Sequence, residues 1–162
     1  MATQETHKPM RCHASAIALP QGGVLLLGDP SSGKSSLAYR LLRHYGGQLV
    51  GDDYVDIALT KGRLTAHSVA TLAGLLELRG LGLVRRAHID STVLDMAVQL
   101  VPRADVPRLP EANHWQQGAC HLPLLKLHAF DLATPDIICA ALPVLKADGF
   151  PENGIWSLAD TE

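Results

Sequence analysis

No apolar run in this sequence reaches the roughly 18–20 residues that a membrane-spanning helix needs. The opening stretch, MATQETHKPMRCHASA, lacks the apolar segment of a signal peptide. Cysteine is sparse. Cys12, Cys120 and Cys139 form no CxxC, and an odd, unpaired set argues against a disulfide framework or a zinc site. Eight histidines are present, yet no HExxH and no tight His/Asp cluster appears, so a metal–histidine site finds no support. Positive charge is not in excess either. The net charge of −2 and pI of about 6.4 give no basic face for nucleic acid and no polybasic anchor for a membrane. Internal repeats, low-complexity tracts and linkers are missing. These absences leave the reducing cytoplasm as the expected setting, with neither nucleic acid nor membrane as a partner.

What is present suits a folded chain. Hydrophobic residues make up 47% of the 162 and charged residues 19%, a globular balance rather than a disordered one. Two domains would each be small for an ordinary core, so one is expected. Residues 1–10 read as a loose polar tail, 11–147 as the domain and 148–162 as a weakly structured tail. Residues 14–19 read as a strand closed by a Pro-Gln-Gly-Gly turn, and 23–27 (GVLLL) as a strand buried on both faces. Leu37, Ala38, Leu41 and Leu42 lie on one helical face, which Gly46-Gly47 closes. Residues 48–51 lead to Asp52-Asp53, and the alternation of Val55 and Ile57 continues as a strand turning at Lys61-Gly62. The stretch 72–86 (LAGLLELRGLGLVRR) begins helix-like and breaks at Gly80 and Gly82. Residues 92–101 read as one strand, 102 to about 118 as a long proline-punctuated loop, 121–127 as a strand, and 134 to about 147 as a last amphipathic helix. The expected architecture is an α/β domain with a mixed, mainly buried sheet flanked by helices.

Chemistry concentrates in one motif. Gly28-Asp29-Pro30-Ser31-Ser32-Gly33-Lys34-Ser35 fits GxxxxGK[ST]. Glycines let a backbone curl round a phosphate and present its N–H groups, and the helix that follows aims its positive end at the anion. Lys34 would meet the β- and γ-phosphates, and the Ser35 hydroxyl is placed to ligate Mg²⁺. The motif follows a buried-strand pattern and opens an amphipathic helix, which is the context it requires. The segment LVGDD (49–53) offers two carboxylates one strand–helix unit later. One can hold a metal or its water shell. The second, close to the first charge, should have a raised pKa and can accept a proton; the plain alternative is a solvated strand-end turn. Glu77 and Arg79, before Gly80 and Gly82, read either as a catalytic loop or as a helix C-cap with an exposed ion pair.

Taken in order, these segments resemble the catalytic C-terminal domain of HPr kinase/phosphorylase, in the short form found in some alphaproteobacteria. His13 precedes the strand leading into GDPSSGKSS at the family's separation from the Walker lysine. LVGDDYVDI resembles the family's LVADDxVxI, and LLELRGLGL its LEIRGLGI. The likeness runs from about residue 13 to 101, and more loosely to about 145. It implies a P-loop fold similar to the nucleotide-binding core of phosphoenolpyruvate carboxykinase. It also implies ATP- and Mg²⁺-dependent phosphorylation of a serine on the phosphocarrier HPr, regulating the bacterial phosphotransferase system and carbon and nitrogen metabolism.

Carried over position by position, Gly28, Asp29, Pro30, Ser31, Ser32, Gly33, Lys34, Ser35 and Ser36 would bind ATP. Asp53 would be the acid/base, Asp52 and Glu77 would join Ser35 around the metal, and Arg79 and His13 would belong to the catalytic group. Arg108, in DVPRLP, would correspond to the arginine of the family's DRLG segment. The chain also departs from the family. The full-length relatives' N-terminal domain has no room here, and LPLLKLHAF (122–130) stands where relatives carry IPVRPGRN. That segment is tied to dephosphorylation and to the family hexamer, so neither phosphorolysis nor a particular homo-oligomer carries over with the resemblance. The reading of another class is a P-loop regulatory module that senses ATP with little or no transfer.

Overall fold

The apolar run before the glycine-rich motif is a central strand because both of its faces find aliphatic partners. A computed structural model describes residues 8–159. In chain order these form β1 (Met10–His13), β2 (Ser15–Leu19), β3 (Gly22–Leu27), α1 (Lys34–His44), β4 (Gln48–Gly51), β5 (Tyr54–Thr60), β6 (Arg63–Ser68), β7 (Leu75–Leu78), β8 (Gly82–Arg85), β9 (Ser91–Val93), β10 (Met96–Leu100), β11 (Asn113–Gln117), β12 (Cys120–Leu127) and α2 (Thr134–Asp148). Among the described residues, the main sheet has six strands in the order β11-β12-β10-β3-β2-β4. In it β10 runs parallel to both β3 and β12, while β2, β4 and β11 pair antiparallel with their neighbours.

Side chains alternate across this sheet with the period of two that a pleated strand imposes. Ile17, Val24, Leu26, Met96, Val98 and Leu125 point to the face covered by Leu37, Leu41, Ile138 and Leu142 of the two helices. Ala16, Leu25, Leu27, Ala97 and Leu122 point the other way, onto Val55, Ile57, Leu64 and Ala66. Those last residues belong to a second sheet, β1-β5-β6-β9. The mixed α/β architecture is thus as the sequence suggested, but helices cover one face only. The opposite face is closed by a sheet, because β5 carries a half-buried alternation rather than a helical stripe and β6, buried at Leu64, Thr65 and Ala66, pairs alongside it. The Lys61-Gly62 turn joins those two strands as expected, with φ of 51° and 76°, the doubly left-handed geometry of a tight hairpin.

Four expectations need correction. Of the expected N-terminal tail, residues 1–7 lie outside the described residues; Met10, expected to belong to it, is already the first residue of β1. Residues 72–86 hold no α-helix: β7 and β8 pair antiparallel, with Leu76 buried, Leu81 and Leu83 exposed, and Gly80 and Gly82 at φ of 94° and 100°. A left-handed backbone at two nearby glycines turns the chain back rather than continuing a helix. Residues 92–101 are two strands in different sheets. Between β9 and β10, the Asp95 carboxylate accepts from Gly23 N–H at 3.0 Å and from Arg63 at 2.9 Å, which redirects the chain from one sheet to the other. The 102–118 segment is partly regular, with one 3₁₀ turn at Arg103–Asp105 and β11 paired to β12. Beyond α2, Phe150 and Trp156 pack against the helix-side core without forming a regular element. Among the described residues no helix is long and apolar enough to cross a membrane.

Candidate functional site

The glycine-rich motif occupies the connection from β3 to α1, at the carboxyl end of a buried parallel strand. Its two bracketing glycines sit where a side chain would be crowded. A Cβ at Gly28 would lie 2.5 Å from Ser32 Oγ, and one at Gly33 would lie 2.6 Å from the Ala129 Cβ. Gly33 also has φ of 96° and leads directly into α1, whose first turn is closed by Leu37 N–H donating to the Gly33 carbonyl at 2.9 Å. Ser31 is left-handed as well, at φ 71°. Such a backbone is uncommon for a residue with a Cβ, and it curls the loop round an open centre.

Lys34 begins α1 and is 7% exposed. Its Nζ folds back to donate to the Gly28 carbonyl at 2.5 Å and to the Asp29 carbonyl at 3.2 Å. Burial pulls this ammonium below the ordinary lysine pKa, while Asp52, Asp53 and Asp29 pull it back up. The lysine is thus held against the backbone of the glycine-rich loop.

The paired aspartates separate into two environments. Asp52, at 5% exposure, accepts from Ser15 Oγ at 2.5 Å and from Ser35 Oγ at 2.7 Å. Asp53 follows in the turn to β5 at φ 70°, with its side chain 63% exposed. It accepts from His13 Nε2–H at 2.8 Å. The register of β1 against β5, which places His13 opposite Tyr54, brings that histidine to the turn. Ala14 N–H, donating to the Asp53 carbonyl at 3.0 Å, fixes the backbone of the turn. The Ser15 hydroxyl was not singled out in the sequence, where it reads as one residue of an apolar strand. Ser15→Ala leaves Asp52 with a single hydroxyl donor in a buried setting and is expected to lower stability by about 1–3 kcal/mol. Urea unfolding should show a lower midpoint at unchanged slope; an unmoved midpoint would mean that water replaces the hydroxyl.

His13, Ser31, Lys34, Ser35, Asp53 and Glu77 line one cleft of about 540 Å³, together with Pro30, Gly33, Ser36, Arg79 and Phe130. This is within the size range of small-molecule sites. Glu77 lies on β7, and Arg79, in the bend that follows, donates to Ser31 Oγ at 3.1 Å. The hairpin thus lays its arginine over the loop. Arg108 is not in this group. It is exposed and borders a separate apolar groove with Leu127, Ile137 and Trp156. Among the described residues that line the cleft, the arginine beside Lys34 is Arg79. Phe130 also went unnoticed in the sequence, since nothing in HAFDLATP marks it.

Among the described residues, no three His, Cys, Asp or Glu side chains cluster closely enough to hold a metal alone. A Mg²⁺ site in phosphoryl transfer needs no such cage. It uses one hydroxyl, one or two carboxylates, phosphate oxygens and waters. Ser35 Oγ in contact with Asp52, with Glu77 in the same cleft, fits that donor set.

Fold and site define a mixed α/β domain with a glycine-rich loop of phosphate-cradling sequence, flanked by a carboxylate pair, a histidine and an arginine. The family model described as the HPr serine kinase C-terminal domain matches residues 4–106, and the chain belongs to that family. It is 33% identical over 106 residues to an HPr kinase/phosphorylase of Clostridium beijerinckii, covering 65% of this chain and 33% of the relative. It is 38% identical over 88 residues to one of Clostridium tetani, covering 53% of this chain and 28% of the relative. The matched segment thus spans about a third of those relatives. The solved structure of the HPr(Ser) kinase/phosphatase from Coxiella burnetii superposes with a TM-score of 0.69 at 22% identity, covering 80% of this chain and 86% of that one. That likeness bears on the fold.

Proposed function

We propose that this domain transfers the γ-phosphoryl group of ATP to a serine hydroxyl of the phosphocarrier HPr in the cytoplasm. The observation that carries the reading is the placement of the Asp53–His13 pair in the same cleft as Lys34 of the glycine-rich loop. Phosphoryl transfer is mostly positioning and charge stabilisation, so it needs a cradle, cations and a base within one cavity. The loop from Gly28 to Ser36 would bind the phosphates. Lys34 would leave its carbonyl partners for the β- and γ-oxygens, and Arg79 would add a second positive charge over the loop. Ser35 and Asp52, with Glu77 nearby, would hold Mg²⁺, which when bound neutralises charge on the phosphate oxygens. Asp53, exposed to the cleft, would take the proton of the incoming serine hydroxyl. The serine oxygen would then form its bond to the γ-phosphorus as the bond to the ADP oxygen breaks. His13 would orient Asp53.

Intact-mass spectrometry of HPr from the organism that encodes this chain, incubated with the protein, ATP and Mg²⁺, tests the reading. A gain of one phosphate is expected. No gain, with ATP still bound by calorimetry, would favour the nucleotide-sensing module or a different acceptor.

A further inference from the structure

Phe130 is a phenyl ring left 58% exposed in the wall of the cleft. It lies in the turn between β12 and α2. Because β3, β10 and β12 are parallel, the turn after β12 opens at the same sheet edge as the glycine-rich loop after β3. In open α/β sheets, ligands lie outside the carboxyl ends of the strands. A nucleotide anchored by its phosphates on one of these loops can extend along that edge to its neighbour.

The turn is built to hold the ring still. Arg40, six residues beyond Lys34 on α1, donates to the carbonyls of Ala129 and Asp131 at 3.3 Å each and of Leu132 at 3.1 Å. Arg103 donates to the Asp131 carboxylate at 2.7 Å, and Thr134 Oγ1 to the His128 carbonyl at 2.5 Å. His128 donates from Nδ1 to the Val101 carbonyl at 2.9 Å, and its ring meets Phe130 edge-on at 5.7 Å. With these bonds in place, the turn does not need Phe130 as an anchor, and an anchor would be buried. The ring is close to the loop as well: a Cβ at Gly33 would lie 2.8 Å from Phe130 Cζ. One helix therefore fixes both the phosphate lysine and, through Arg40, the aromatic ring.

We propose that Phe130 is the stacking platform for the nucleobase of the nucleotide whose phosphates the Gly28–Ser35 loop holds. This rests on the nucleotide reading above and deepens it. A preset ring needs no ordering on binding, and stacking is tolerant of base identity. Truncating an aromatic platform under a base weakens binding by about 5- to 150-fold, and a single open ring puts the expected loss at about tenfold.

Calorimetric titration of wild type, Phe130→Ala and Phe130→Trp with ATP and with inorganic tripolyphosphate, in Mg²⁺, tests it. Phe130→Ala should lose affinity for ATP and keep its affinity for tripolyphosphate. Phe130→Trp should restore ATP binding, with indole fluorescence quenched by ATP and not by tripolyphosphate. Equal ATP affinity in wild type and Phe130→Ala overturns the platform, as does a parallel loss of both ligands. If ATP affinity holds and HPr binding falls, the ring belongs to acceptor docking and the proposal fails. A wild type that binds neither ligand overturns the nucleotide reading itself. A wild type that binds both, with no selective loss on truncation, overturns the platform alone.

Discussion

Asp53→Asn is expected to slow phosphoryl transfer to HPr by about 10²–10⁴-fold, the contribution of a positioned general base, while ATP affinity is unchanged. The substitution is close to isosteric. The amide oxygen can still accept from His13 Nε2–H, so the contact now at 2.8 Å survives and the turn keeps its shape. What disappears is the ability to accept a proton. Asp53 suits that task better than Asp52 on geometry alone. Asp52 is buried and already accepts two serine hydroxyls, one of them from the glycine-rich loop, whereas the Asp53 carboxylate is open to the cleft. Initial rates of phosphate gain on HPr, beside calorimetric ATP affinity, separate the two roles. Full transfer by Asp53→Asn would remove Asp53 as the base. A variant that loses ATP binding as well would place Asp53 in the ligand cradle.

The parts of this architecture that were legible in the sequence are those whose cause is local. GVLLL is apolar throughout because both faces of β3 are covered, and the spacing of Leu37, Leu41 and Leu42 follows from one buried face of α1. The glycines at 28 and 33 sit where nearby atoms would crowd a side chain, and the motif that contains them is contiguous. Elsewhere local pattern was ambiguous. The leucines of 72–86 fit a helical stripe as well as a hairpin, and the backbone at Gly80 and Gly82, with Leu76 the buried member, decides for the hairpin. The strand over 92–101 looked continuous because its break depends on Asp95 finding Gly23 N–H and Arg63, partners far away in sequence. The site divides in the same way. Asp52, Asp53, Lys34 and Ser35 announce themselves by residue type and spacing. Ser15 acts on a carboxylate 37 residues away, across the pairing of β2 with β4. Phe130 reaches the loop only because β12 lies parallel to β10, and β10 to β3. Arg108 shows the converse. Two or three matching letters in DVPRLP pointed to the cleft, yet the turn after β10 carries that side chain to the groove beside α2.

Lys34→Met should fold at least as well as wild type and yet bind ATP about 10²–10⁴-fold more weakly, the loss of two hydrogen bonds from a charged donor. Methionine keeps most of the buried stem. The carbonyls it abandons, on Gly28 and Asp29, lie where water can reach them, since Gly28 is partly open and Asp29 exposed. The ammonium, in contrast, is held in a nearly buried position, and desolvation is the first cause of its lowered pKa. A group whose native pKa lies below its unfolded value binds fewer protons in the native state between the two values. Lys34 therefore detracts most from stability below its native pKa, and that penalty fades as pH rises towards the ordinary lysine range. The stability advantage of Lys34→Met over wild type should shrink across the same window, which paired urea titrations at successive pH values would read. An advantage that does not change with pH would mean that desolvation of the ammonium is not its source. Undiminished ATP affinity would mean that the loop's lysine does not meet the phosphates. The two readouts answer separate questions, because a charge kept in a poorly hydrated loop weakens the empty fold and strengthens the liganded one. A stability-optimised sequence would discard that lysine, and a phosphate-binding one has reason to keep it.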